Sequence, residues 1–184
     1  MTHRLLCLCG ALRAGSTNRK LIQQAMRIYA PASWAEGDLR LPLYDGDLED
    51  SVGIPAAVQA LADQVAAADG VVISTPEYNR GLSGVLKNAL DWVSRTRGHP
   101  FRDKPLAIMS AADGVSGGVR AQVSLRLALV SFRPRLVAGP DVALGRSGRA
   151  FGPDGRLTDA AAEHALADLM GLLRAEIARG KAGA

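Results

Sequence analysis

Short apolar runs alternate with amphipathic helical stretches along almost the whole chain, and that alternation leaves few folds open. Residues 4–9 form a continuous apolar run, the pattern of a strand covered on both faces. Residues 16–30 follow with helical spacing: Ser16 suits the N-cap, and Leu21, Ile22, Ala25, Met26 and Tyr29 share one face. The same pair of signals then recurs. Residues 34–41 predict a weak strand broken by Gly37, and residues 41–47 a loop. Residues 55–68 predict a helix led by Pro55, with Val58, Leu61 and Val65 inward. Strands are expected over 70–75, 105–110 and 134–138, with helices over 83–95 and 118–130 between them. The Gly-, Pro- and Arg-rich stretch 139–155 predicts a surface loop and candidate contact arm. A long helix over 158–179 turns Leu166, Leu169, Met170, Leu173 and Ile177 inward, and residues 180–184 are expected to fray.

Strands that alternate with helices make a parallel sheet with helices on both faces, an α/β three-layer sandwich. With 184 residues and no repeat or linker, the chain predicts one domain over residues 1–184. Right-handed crossovers favour five strands in the order 2-1-3-4-5, with ligands at the carboxyl ends of the strands near the switch point. The loops after the first, third and fourth strands therefore carry the functional argument.

Composition narrows the classes further. Hydrophobic residues make up 48% and charged residues 22%, which excludes a disordered or coiled-coil chain. Aromatics are 4%, so the core is built from Ala, Leu and Val. The net charge of +4 suits attraction to a phosphate-bearing cofactor, but there is no dense basic stripe or set of stacking aromatics for nucleic acid. No run approaches ~18 apolar residues, so no membrane span is expected. The apolar run after His3-Arg4 is short for a signal peptide and runs into a functional-looking loop. Cys7 and Cys9 lack CxxC spacing and fall on one face of a strand, as small buried hydrophobes of a reduced, cytoplasmic protein. No metal-ligand spacing is present.

The first loop, residues 10–18, leaves a strand and opens a helix. Free backbone N–H groups and the helix dipole make such an end an anion site. Arg13 adds a permanent charge, and Ser16, Thr17 and Asn18 add short polar side chains suited to a phosphomonoester. Gly10 and Gly15 have the outer spacing of a P-loop, but Ser16 stands where its Lys belongs, and the GxGxxG fingerprint is absent. By itself the loop also fits a Gly-rich βα turn with a well-capped helix.

The third-strand loop, Pro76-Glu77-Tyr78-Asn79, offers backbone groups and an aromatic to a planar ligand. Glu77 has no second carboxylate at partner spacing, so it is not assigned as a catalytic acid, and no catalytic residue is assigned at all. After the fourth strand, Gly114-Val115-Ser116-Gly117-Gly118 fits a GxSxG nucleophile elbow, followed by Asp141, Asp154 or Asp159 and then His164. A serine hydrolase using Ser116 is therefore an alternative. Against it, residues 111–113 separate the strand from the elbow, and His164 falls inside a helix.

The first loop, the run Pro76–Asn79 with Gly84-Val85-Leu86-Lys87-Asn88-Ala89-Leu90-Asp91-Trp92, and residues 110–126 together resemble the NAD(P)H-dependent FMN reductase family, which includes chromate, quinone and azo-dye reductases. The resemblance covers about residues 4–140. It implies a flavodoxin-like fold, non-covalent FMN, NAD(P)H as co-substrate, and a homodimer or homotetramer. Carried over, Arg13, Ser16 and Asn18 would hold the FMN phosphate, with Leu12 and Thr17 also among the cofactor-binding residues of this loop. Pro76, Glu77, Tyr78 and Asn79 would line the isoalloxazine, largely through backbone atoms, and Ser110 and the Gly117-Gly118 turn would close the other side, with Ser116 also counted as cofactor-binding. Lys87, Asn88 and Asp91 would be helix or interface residues. Hydride would pass from nicotinamide to FMN, and electrons then to a quinone, flavin, azo compound or chromate at the same place, which predicts ping-pong kinetics. Two residues depart from the family's pattern: Ala11, where Ser is common, and Ser83, where Pro is usual. A flavodoxin-type electron carrier is the rival within the fold, but such carriers are strongly acidic and this chain is basic. Two cysteines cannot ligate a four-cysteine cluster.

Overall fold

The computed structural model describes residues 3–182. The chain runs β1 (Arg4–Cys9), α1 (Thr17–Tyr29), β2 (Ser33–Gly37), α2 (Gly46–Val52), α3 (Ala56–Ala67), β3 (Gly70–Thr75), α4 (Gly84–Arg95), β4 (Pro105–Ala111), α5 (Val119–Leu129), β5 (Arg135–Leu136), β6 (Ala143–Leu144) and α6 (Ala160–Ala182). The strands pair in the order β2-β1-β3-β4-β5, with β6 also on β4, and every ladder is parallel. This is the flavodoxin-like three-layer order expected from the sequence.

Strand alternation divides the core between the two faces. Leu5, Cys7, Cys9, Val72, Ala107 and Met109 point to one face, under α1 and α6. Leu6, Leu8, Val71, Ile73, Leu106 and Ile108 point to the other, under α3, α4 and α5. The inward residues read from the helical spacing are buried in α1, α3 and α6. Cys7 and Cys9 are buried free thiols on one face, as expected. Burial, with Glu36 and Cys9 nearby, pushes the Cys7 thiol up to about 12.

Three expectations need correction. The stretch 139–155 is mostly at the surface but is not loop throughout. Val142, Leu144 and Ser147 are buried, and β6 continues the edge of the sheet begun by β5, with Ser110 N donating to Val142 O and Ala112 N to Leu144 O. Residues 46–52 form α2, beyond the turn foreseen there. It buries no residue, and Asp45 caps it by accepting from Asp47 N. The last helix runs to Ala182 instead of fraying from residue 180; residues 183–184 lie outside the described residues. Among the described residues no helix is long and apolar enough to cross a membrane.

Candidate functional site

The ends of β1, β3 and β4 converge because the strands are parallel and in register, with Cys9 beside Ser74 and Thr75 beside Ser110. The loops leaving them form one cleft of about 470 Å³, within the usual range for small-molecule sites. The first two loops touch closely. Gly10 N donates to Ser74 O at 2.8 Å. A Cβ on Gly10 would lie 2.9 Å from Ser83 Oγ and 3.0 Å from Pro76 Cδ, so only glycine lets the loops meet.

Asn18 fastens the inner end of the cleft. Its Oδ1 accepts from Ser74 Oγ at 2.8 Å and Ala111 N at 3.0 Å, and its Nδ2 donates to Ala111 O at 2.8 Å. One buried amide thus ties the start of α1 to the ends of β3 and β4, with one of its hydrogens outside these bonds. Ser16 caps α1, accepting from Arg19 N, and Arg19 lies against Glu36 with an N–O separation of 2.8 Å. The first turn of α1 leaves backbone N–H groups without helical partners. Arg13 lines the cleft beside them and makes no ion pair among the described residues.

The opposite wall comes from two segments far apart in sequence. Ser147 Oγ accepts from Thr17 Oγ1 at 3.1 Å and donates to Asp113 Oδ1 at 2.9 Å. Behind this chain, Arg146 N donates to Gly114 O and Ser147 N to Ala112 O. Gly117 has φ +63, and a Cβ there would sit 2.3 Å from Ala143 O. The 112–118 loop is therefore pressed onto the edge of the sheet.

At the mouth, residues 78–81 make a two-residue hairpin turn. Tyr78 N donates to Gly81 O and Gly81 N to Tyr78 O, both at 3.1 Å. Asn79 and Arg80 both have positive φ, 49° and 66°. Asn tolerates this region; for Arg it costs about 1–2 kcal/mol. Glu77 lines the cleft, and its carboxylate accepts from Arg120 N at 3.1 Å, at the start of α5.

A cleft that joins a capped helix N-terminus to an aromatic hairpin, at the carboxyl ends of a 2-1-3-4-5 sheet, invites comparison with known proteins. Residues 3–148 match the sequence profile of the NADPH-dependent FMN reductase family. The chain belongs to that family. It is 40% identical to an NAD(P)H-dependent FMN reductase of Pseudomonas aeruginosa over 85% of both chains. It is 43% identical to a quinone reductase of Escherichia coli strain K12 over 75% of both. In structure it is similar to FerB, a flavoenzyme NAD(P)H:(acceptor) oxidoreductase from Paracoccus denitrificans. The TM-score is 0.82 at 28% identity, covering 96% of each chain.

This FMN reductase family member brings most of the expected site residues together. Arg13, Ser16, Thr17, Asn18, Pro76, Glu77, Tyr78 and Ser116 line the cleft. Leu12 does not: its side chain packs with the core on the α3–α5 face, while its carbonyl accepts from Arg40. Ser110, Gly117 and Gly118 stand behind the wall. Ser110 Oγ donates to Gly117 O at 2.7 Å and accepts from Gln122 Nε2 at 2.9 Å, and Gly118 caps α5. Asn79 forms the hairpin tip. Asp113 and Ser147 line the cleft without having been foreseen; the aspartate's place after two alanines was a signal for it, whereas nothing near Ser147 in sequence announces a site.

The hydrolase alternative loses its base. Ser116 faces the cleft, but no histidine lines it. His164 is exposed on α6 and pairs with Asp168 one turn away. The signature residues of α4 face elsewhere too. Asn88 Nδ2 and Trp92 Nε1 both donate to Pro42 O, and Asn88 Oδ1 accepts from Tyr44 N. They clasp the strap that leads into α2.

Proposed function

We propose that this protein is an oxidoreductase that holds FMN non-covalently in the cleft, takes hydride from NAD(P)H and passes electrons to a small acceptor: a quinone, free flavin, an azo compound or chromate. The observation that carries the reading is the meeting in one cleft of the α1 N-terminus with Arg13 and of the Pro76–Tyr78 loop. The first fits a phosphomonoester, the second the edge of a flat ring. Bound FMN supplies the electron-carrying chemistry; the chain supplies binding and orientation. Arg13, Ser16 and Thr17 would hold the phosphate. Asn18 ties the ends of β3 and β4 to the start of α1 beneath it. Glu77, held by Arg120, and Tyr78 would flank the ring and leave its outer face open.

No side chain is required as general base, so donor and acceptor can use the same open face in turn. Initial-rate kinetics should give parallel double-reciprocal lines; intersecting lines would rule out a shared site. The direct test is the visible spectrum with FMN added, followed anaerobically by NADPH or NADH. Flavin bands that bleach support the reductase. Bands that bleach only with dithionite would make it an electron carrier, and failure to bind FMN would end the reading.

The same proposal places the protein in the cytoplasm, in keeping with its two buried free thiols, and as a homo-oligomer. Val119, Val123 and Leu127 are exposed along α5 and Val130 just beyond its end, and with the exposed Val115 in the loop before it they leave apolar side chains uncovered on this side of the molecule. Both arginines of α5 are neutralised within the chain, Arg120 by Glu77 and Arg126 by Asp141, so a second copy can meet this face without charge repulsion. Light scattering should show a dimer or tetramer that Leu127→Glu dissociates.

A further inference from the structure

The hairpin at the mouth of the cleft places an arginine where the backbone favours glycine. A two-residue turn with both central residues at positive φ ordinarily reads Asn-Gly. Here it reads Asn79-Arg80, and the glycine falls one residue later, at Gly81. Arg133 and Arg146 also have positive φ, but each is a single residue flanking a short helical turn. Arg80 is the second of two consecutive residues in this state, in a turn closed by reciprocal hydrogen bonds and packed near Ser124 of α5. Strain of this kind persists where surrounding structure enforces it, and clusters at ligand sites.

The charge of Arg80 is also uncommitted. It is exposed and makes no ion pair or hydrogen bond among the described residues. Its neighbours differ. Arg120 is engaged with Glu77, and Arg40 with Asp38 and Leu12 O. Of the arginines without an ion pair among the described residues, Arg13 lines the cleft at the start of α1, and Arg80 stands exposed on the hairpin two residues beyond Tyr78, which lines the mouth of the cleft.

We propose that Arg80 is the donor-recognition residue, binding the phosphates of the incoming nicotinamide dinucleotide at the open side of the cleft. The inference rests on the FMN reading above. With Arg13 occupied by the cofactor's phosphate, a dinucleotide arriving at the outer face of the ring brings its own phosphates to the mouth, where the hairpin that follows Tyr78 offers Arg80, a cation with no ion pair among the described residues. Guanidinium suits phosphate in geometry as well as charge.

The test is stopped-flow reduction of the FMN-loaded enzyme by NADPH and by NADH, in wild type, Arg80→Asn, Arg80→Gly and Arg80→Lys. Asn keeps the turn and removes the charge, Gly also releases the strain, and Lys keeps the charge. The donor concentration at half-saturation should rise about ten-fold in the Asn and Gly variants and stay within about three-fold in Lys. The limiting bleaching rate should hold within about two-fold. The dependence on salt should flatten when the charge is gone. Melting temperature should rise by a few degrees in Arg80→Gly. Unchanged half-saturation in Arg80→Asn overturns the proposal. So does a loss confined to an anionic acceptor, which would assign the arginine to that partner, and so does a melting temperature of Arg80→Gly at or below wild type. Titration of each variant with FMN separates these outcomes from failure of the underlying reading: a wild type that binds no FMN refutes the cofactor assignment, whereas normal FMN binding with unaltered donor dependence refutes Arg80 alone.

Discussion

At the inner end of the cleft, Asn18 spends a buried amide on three hydrogen bonds that lock the ends of two strands to a helix. At the mouth, the 78–81 turn is exposed and holds an arginine in a conformation that costs free energy. The inner end is made rigid by satisfying polar groups that could not otherwise be buried. The mouth instead keeps strain and an unpaired charge, as the proposed contact with an incoming donor would require. Substitutions at the two ends should therefore fail differently: the inner ones through stability and cofactor affinity together, the outer ones through substrate dependence with the fold intact.

The largest effect should come from Asn18→Ala. It strands Ala111 N, Ala111 O and Ser74 Oγ, and should lower stability by about 3 kcal/mol in urea unfolding. Tyr78→Ala at the mouth, 55% exposed in wild type, should stay within about 0.5 kcal/mol. Equal losses at both positions would erase the distinction. Next, Arg13→Ala removes a charge-assisted phosphate contact of about 1.5–3 kcal/mol, so FMN should bind roughly 10–100-fold more weakly, with riboflavin affinity unchanged in fluorescence titrations.

A third experiment uses pH. Cys7 lies on the α1 side of the sheet and stays protonated in the folded protein to about pH 12, against an ordinary value of 9.0. The folded state therefore holds a proton that the unfolded chain releases above pH 9. This contribution to stability is complete below pH 9 and is lost as pH rises toward 12, by at most about 1.4 kcal/mol per pH unit. Comparing urea midpoints at pH 8 and 10 for wild type and Cys7→Ala isolates it. The smallest effect sharpens the inner end: Ala11→Ser adds one neutral hydrogen-bonding group beside the anion site and should tighten FMN about five-fold, near 1 kcal/mol.

The two ends were also unequally legible. The inner end was readable because its signals are local: a buried apolar strand, a glycine, a serine cap and a helix with five inward residues occur within thirty positions. Leu12 was misplaced because adjacency to Arg13 says nothing about which face of the sheet a side chain seeks. The far wall escaped altogether. The Ser147–Asp113 bond joins residues 34 apart, and β6 spans two residues, too few to show a strand's alternation. Helix α2 escaped because it buries nothing and has no apolar face to read; its cap and the Glu49–Arg95 pair hold it. The strained turn at residues 79–80 leaves only a faint trace, an asparagine before an arginine in place of the usual glycine.

The β4 side of the sheet ends in two fragments, β5 and β6, each two residues long, with residues 137–142 looping between them. A long, flat edge offers its backbone to any passing strand and seeds aggregation. A split edge cannot act as such a template. The interruption that lets β6 carry Ser147 to the cleft also leaves no continuous strand at this edge for another chain to pair with.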